Sequence, residues 1–484
     1  MAVLFCLLFG SARASTDAQA LHVLNRLAFG PAPGKVQRVA AMGVDQYIQQ
    51  QLHPDAMPLP QDLQQQLSSL QTLALTPTEL FQQYGPPQRP RGGKLTPLEI
   101  KTYNQQLRII VMQAMQARVL RALESPRQLQ EVMVNFWFNH FNVFRGKGLD
   151  RLWIGSYERD AIRPYALGHF RDLLFATARN PAMLFYLDNW LDTEPGTKHA
   201  QGRFQGINEN YAREVMELHT LGVNGGYTQA DVTTLAHILT GWGLCPPRGR
   251  FAQPGGFCFD PLRHDSSDQV FLGRHIPGGG EEEIRQALDM LADSPASAHH
   301  LSYELAQYFV ADDPPPALVE RLAQKWMQSD GDIAAVLDTL FHSPEFRSAQ
   351  YTGNKFKTPY EYVISTVRAT GEPVTNVKPL LGMLQQLGMP LYGYLTPDGY
   401  KNTQSAWLNP DAMMMRLSFA TALGHGNVRL DPGQPHPATP EQRAQQLLDT
   451  LPGLFTPMQV ATIDAQPQPL RAGLILGSPQ FQYR

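Results

Sequence analysis

Cysteine is scarce: the 484 residues hold three, Cys6, Cys245 and Cys258, with no close pair among them. A zinc cluster of finger type, whose ligands come in closely spaced pairs, is excluded. Charge is scarce as well. Asp, Glu, Lys and Arg make up 17% of the chain, against about 25% in an ordinary soluble domain. Gln fills part of the gap, as in Gln49-Gln50-Gln51 and Gln64-Gln65-Gln66. The formal net charge of −3 offers no basic footprint for nucleic acid. The apolar run Met1–Gly10 falls well short of the ~20 residues of a transmembrane helix. Also missing are the P-loop, the Gly-x-Ser-x-Gly elbow and His-Glu-x-x-His. Gly278-Gly279-Gly280 precedes a helical stretch, but Glu281-Glu282-Glu283 follow and would repel a phosphate. That spot reads as a solvated helix start.

What is present is a globular chain, 43% hydrophobic and 10% aromatic, with a dominant helical period. The spacing predicts helices from Leu21 to Ala28 and from Lys35 to Gln51. Further helices are predicted over Pro97 to Leu123, Pro126 to Phe144, Trp153 to Tyr165, Asn208 to Leu221, Thr228 to Trp242 and Glu281 to Asp293. More follow from Ala296 to the end of the chain. Strand-like alternation is confined to patches such as Gln269-Val-Phe-Leu-Gly. The fold class is all-α: a multi-helix globular body with long loops and at most minor β. Residues 1–14 read as a signal peptide, 15–53 as N-terminal helices, 54–96 as a Pro/Gln-rich connector, 97–430 as the main helical domain and 431–484 as a helical tail.

The signal-peptide reading rests on an apolar stretch followed by Ala12-Arg13-Ala14, a small-residue cleavage pattern that would free Ser15. No positive residue precedes that stretch, and an ordinary buried helix end is the alternative. Export to the periplasm or the medium would remove Cys6. The two remaining cysteines would then suit a Cys245–Cys258 disulfide closing a loop rich in Pro and Gly; in a reducing compartment they would be two thiols.

Three segments place polar groups among apolar ones. In Asn135-Phe-Trp-Phe-Asn-His-Phe-Asn142, His140 sits on a helix apolar over most of its circumference, as a catalytic group or as a satisfied core histidine. In Asn208-Glu-Asn-Tyr-Ala-Arg-Glu-Val-Met-Glu, Asn210, Arg213, Glu214 and Glu217 share an arc. The plain alternative is a solvated face with an Arg213–Glu217 pair, although Arg before Glu is the weaker order. Glu-x-x-Glu here lacks the His of a di-iron bundle. The third segment, Arg263-His264-Asp265, could bind metal, shuttle protons or simply turn a loop.

At these residues the chain resembles a large bacterial family of uncharacterised proteins catalogued as domain of unknown function 1800. The resemblance is carried by Leu24-Asn-Arg-Leu-Ala-Phe-Gly-Pro, Phe136-Trp-Phe-Asn-His-Phe, the Asn208–Gly222 stretch and Leu239-Thr-Gly-Trp. His264-Asp265, Phe309-Val-Ala-Asp-Asp-Pro-Pro, Lys355-Phe-Lys-Thr-Pro and Pro397-Asp-Gly-Tyr continue it. It implies a mainly helical, often exported protein. It also implies a possible partner in a second exported, sulfatase-like family, domain of unknown function 1501. Two departures stand out: Phe138 where the family commonly has His, and no Lys in Ser266-Ser-Asp-Gln-Val.

Two functions compete. In one, an exported enzyme or binding protein acts at the cell surface or on a polymer. His140, Arg213, Glu214, Glu217, His264 and Asp265 are then its catalytic candidates, and Asn139, Asn210 and Trp242 its ligand-binding candidates. Glu214 and Glu217 lie on one helix and cannot flank a substrate alone, so a group from another helix is needed. In the other, a non-catalytic partner protein uses the same polar groups as packing contacts. The sequence names no cofactor and leaves any metal unknown. The Gly222–Tyr227 link predicts an antiparallel helical hairpin, with the Arg213 arc turned towards the Phe136–His140 helix.

Overall fold

The computed structural model describes residues 16–87, 94–246, 252–433 and 438–484. The leader expected at 1–14 lies outside them. Helices dominate, and among the described residues the only sheets are two antiparallel pairs of three-residue strands. The fold is all-α in class. One buried apolar cluster draws on residues from Ala20 to Phe481.

A chain with 39 prolines builds many helices in part because a number of the described prolines sit at helix starts, where the missing N–H has no partner to lose. Pro77, Pro97, Pro359, Pro440 and Pro457 each follow a Thr N-cap. In all five the Thr side chain and the Glu or Gln three residues on cap each other's backbone.

The structure corrects several boundaries. The single helix expected from Lys35 is two, Lys35–Met42 and Val44–Leu52, broken at Gly43 with φ 98°. The stretch expected as a connector with one short helix near Thr78–Tyr84 carries that helix, Pro77–Tyr84, and a second, Gln61–Ser68; they bury Leu80 and Leu63. Among the helices not foreseen are Phe170–Arg179 and Pro181–Tyr186, separated by Asn180, which caps the second. The stretch from Trp153 to Tyr165 is not one α-helix. Asp150–Ser156 runs into a π turn, Tyr157–Ile162. That turn brings Glu158 to Arg118 at 3.2 Å and Arg163 at 2.8 Å, with Glu158 and Arg118 buried and Arg163 partly so. Phe138 packs there, with its ring 4.8 Å from Tyr392 and under the Arg118 guanidinium. The spot at Glu281-Glu282-Glu283 is not wholly solvated either: Glu283 is buried and accepts the Gly279 N–H at 2.9 Å.

The first strand pair, Trp242–Leu244 with Phe257–Phe259, flanks the Cys245–Cys258 disulfide, whose Cα atoms are 4.9 Å apart. The second is the Gln269–Phe271 and Arg274–Ile276 hairpin, turned by Leu272 and Gly273. Both extremities of the described chain dock on one central stretch. His22 meets the Phe346 carbonyl at 2.9 Å, and Arg26 donates to the Tyr351 carbonyl at 2.6 Å. Lys357 N–H donates to the Gln482 carbonyl at 2.9 Å, and Arg484 N–H to the Lys355 carbonyl at 2.8 Å.

Candidate functional site

Four segments supply most of the wall of an open pocket of about 360 Å³, with Thr358 and Met389 completing it. Asn139 and His140 come from the end of the Gln128–His140 helix, and Glu217 from the end of Glu209–Glu217. His300 and Glu304 come from Pro295–Phe309, and Asp398, Tyr400 and Lys401 from the loop of the Pro397-Asp-Gly-Tyr motif. Asn139 fastens that loop: its amide donates to the Tyr400 carbonyl at 2.9 Å and accepts the Tyr400 N–H at 2.7 Å. Asn142 holds the Thr396 carbonyl at 2.8 Å. Gly399, at φ 65°, lies so close to Asn139 that a Cβ would stand 2.2 Å from its carbonyl oxygen.

His140 Nδ1 donates to Glu304 Oε2 at 2.7 Å, and Nε2 faces the His219 carbonyl at 3.1 Å. A ring that faces two acceptors bonds both only with both nitrogens protonated. Burial alone would favour the neutral Glu304 acid. The charge of His140, its hydrogen bond and the charges of His300 and Lys401 outweigh burial and hold the carboxyl below its usual range. His300 Nε2 stands 3.7 Å from the other Glu304 oxygen. Burial, and then repulsion by His140, depresses His219 far below an ordinary histidine; it is a neutral neighbour, its ring 5.9 Å from that of His140. Glu217 sits across the pocket wall within 3.4 Å of the Tyr227 hydroxyl.

The other candidates lie elsewhere. The helical hairpin is antiparallel: Glu209 meets Thr233, Arg213 meets Gln229 and Glu217 meets Tyr227. Only Glu217 of the expected arc lines the pocket. Arg213 does not lie between the carboxylates; it is half-exposed and pairs with Glu209 at 3.0 Å, in the favourable Glu-before-Arg order. Glu214 is partly buried, and burial, with the charge of Glu217 beside it, raises its pKa. Asn210 donates to the Leu187 carbonyl at 3.3 Å. Trp242, expected to meet a ligand, is fully buried with its ring 5.1 Å from that of Phe257. His264 is a core group, with Nδ1 2.9 Å from the Thr240 carbonyl and Nε2 2.6 Å from Glu283. Asp265 sits in a second cluster, where its Oδ2 lies 2.9 Å from His237 Nδ1, and Glu194 Oε2 lies 2.8 Å from the same nitrogen.

The family profile described as "Protein of unknown function (DUF1800)" matches residues 22–483, nearly the whole chain. The chain belongs to the DUF1800 family. No curated protein and no solved structure matches it. Four of the stretches that carry the family resemblance therefore have a structural account here. The Asn-His-Phe-Asn run holds the Pro397-Asp-Gly-Tyr loop. The Asn208–Gly222 stretch delivers Glu217. Lys355 bonds Asp312 and the Asn402 carbonyl behind the pocket. Sequence reasoning missed Glu304 and His300. Their signal was a His-x-x-x-Glu spacing that puts both on one face of the Pro295–Phe309 helix.

Proposed function

We propose that the chain is an exported protein that binds a hydroxyl-rich ligand, of the kind a cell-surface polymer presents, in the His140 pocket and works on it by acid–base chemistry. The observation that carries this reading is the His140–Glu304 pair, 2.7 Å apart in the wall of a pocket that Glu217 also lines. Glu217 and Glu304 come from different helices and can address a ligand from two sides, which Glu214 and Glu217 cannot. Glu304, held ionised, stabilises positive charge that develops on the ligand. Glu217 is the group placed to exchange a proton with it. Phe136, Tyr308 and Tyr400 supply apolar faces between these polar groups. Export is supported by Ala12-Arg13-Ala14 and by the Cys245–Cys258 bridge, which needs an oxidising compartment.

The test is incubation of the full chain with a panel of cell-wall and extracellular oligosaccharides, read by affinity and by mass spectrometry of the products. Glu304→Gln and Glu217→Gln should each weaken binding or turnover by at least ~10-fold, the scale of a lost charged contact. Equal behaviour of wild type and both variants would overturn the reading.

A second reading, a non-catalytic partner of a sulfatase-like exported protein, draws on exposed apolar side chains of two helices that pack together. These are Met414 and Leu417 on Pro410–Gly424, and Leu470 and Leu474 on Gln468–Gly477. Co-purification with such a protein that Leu417→Glu and Leu474→Glu abolish would favour it.

A further inference from the structure

We propose that Glu194, His237 and Asp265 bind a divalent transition-metal ion of the Zn²⁺ or Mn²⁺ class, at a site separate from the His140 pocket. The first ground is a proton count. A single ring nitrogen, His237 Nδ1, lies 2.8 Å from Glu194 Oε2 and 2.9 Å from Asp265 Oδ2. That nitrogen carries at most one proton, so hydrogen bonding serves both carboxylates only as a single bifurcated bond, weaker to each than a bond of its own. A shared cation accounts for both. Ligand atoms on adjacent corners of an octahedron with bonds of about 2.1 Å lie about 3 Å apart. The three donor atoms all fall within 4.8 Å of one another.

The second ground is that the three donors come from three segments already tied to one another. Ser267 donates to the far oxygen of Asp265 from its N–H at 3.0 Å and its hydroxyl at 2.6 Å, leaving Oδ2 aimed at His237. Gln269 donates to Oδ2 at 3.1 Å. Asp265 N–H donates to Thr240 Oγ1 at 2.8 Å, and that hydroxyl donates to the His237 carbonyl at 2.6 Å. Glu194 N–H donates to the Arg263 carbonyl at 2.8 Å. Outer partners of this kind fix the orientation of metal ligands.

The third ground is ligand chemistry. One imidazole with two carboxylates suits Zn²⁺ or Mn²⁺, whereas Mg²⁺ and Ca²⁺ take oxygen throughout. All three side chains are partly exposed, so water completes the coordination.

The experiment strips the purified full chain with EDTA and then titrates ZnCl₂, MnCl₂ and, as a control, CaCl₂ by calorimetry, with metal content checked by elemental analysis. We expect about one Zn²⁺ or Mn²⁺ per chain and a higher melting temperature on binding. Ser267→Ala should weaken affinity by about 10-fold, and His237→Ala and Asp265→Asn by more than that. Circular dichroism of each variant checks folding; Glu194→Gln replaces any that fails. Binding of Ca²⁺ alone, affinities unchanged in the variants, or no uptake of any ion would overturn the proposal. The last result would mark the cluster as an imidazolium between two carboxylates.

Discussion

At the scale of single residues, the polar groups of one helix have unequal weight. Glu217 faces a pocket while Arg213, one turn earlier, reaches outward to Glu209 and Gln229. An exposed i,i+4 pair is worth about 0.3–0.5 kcal/mol. Arg213→Ala should therefore move a urea midpoint by an amount equivalent to less than ~0.5 kcal/mol; a loss of several kcal/mol would mean that Arg213 is buried between charges. The buried Lys357 behaves differently. Its ammonium lies 3.8 Å from the Phe481 ring centre, with Glu361, Arg416 and Arg484 as its charged neighbours. Burial lowers its pKa from 10.5 to about 7. The folded state therefore releases this proton before the unfolded state does. Between about pH 7 and pH 10.5 the unfolded chain binds more protons, so stability rises with pH across that window, and the full penalty stands below it. Lys355, lowered to about 8 by burial, acts with the same sign over a narrower range. Urea melts at pH 7, 8 and 9 should show a shallower rise for Lys357→Met than for the wild type. Parallel slopes would mean that the ammonium is hydrated.

At the scale of elements, helices announced themselves where apolar period and cap agree. Pro97–Glu124 and Gln229–Leu239 carry both signals, and their observed limits stay close to the expected ones. Thr358 accepts the Glu361 N–H at 3.3 Å, and its own hydroxyl and N–H both reach the Glu361 carboxylate. Thr358→Ala should cost about 1 kcal/mol or somewhat more, with Thr358→Ser restoring most of it in the same melt. Elements were misread where one signal was silent. Gly43 interrupts a continuous apolar period, which period alone cannot reveal. Phe170–Arg179 and Pro181–Tyr186 are short, so most of their stability comes from tertiary burial, although apolar spacing in the first and the Asn180 cap with Pro181 in the second mark them locally. The pocket divides in the same way. His140, Asn139 and Glu217 stood out because they lie in dense polar runs on otherwise apolar helices. Glu304 did not, because its partner His140 is 164 residues away and a lone His-x-x-x-Glu is common on solvated helices.

At the scale of the molecule, the bridge between Cys245 and Cys258 spans 13 positions in sequence. Closing a loop of that size is worth roughly 3 kcal/mol in the chain-entropy model. The Cys245→Ser/Cys258→Ser double variant should lose stability on that scale while keeping its helical circular dichroism. An unchanged melt under reducing conditions would show that the strand pair holds without the bridge. The docking of both extremities on the central stretch has a consequence in time. His22 and Arg26 wait for residues 346–354, and the adjoining Lys355 and Lys357 in turn wait for Arg484 and Gln482. Arg484 also donates to the Tyr308 carbonyl, and Tyr308 lines the pocket. A ribosome delivers these parts in order, so His22 and Arg26 are made 324 to 328 residues before the groups they bond. The pocket draws its lining from Asn135 to Thr403, and closure over so long a stretch of chain is slow. The early part of the nascent chain thus stays unlocked, and so threadable, for as long as residues 346–354 have yet to be made.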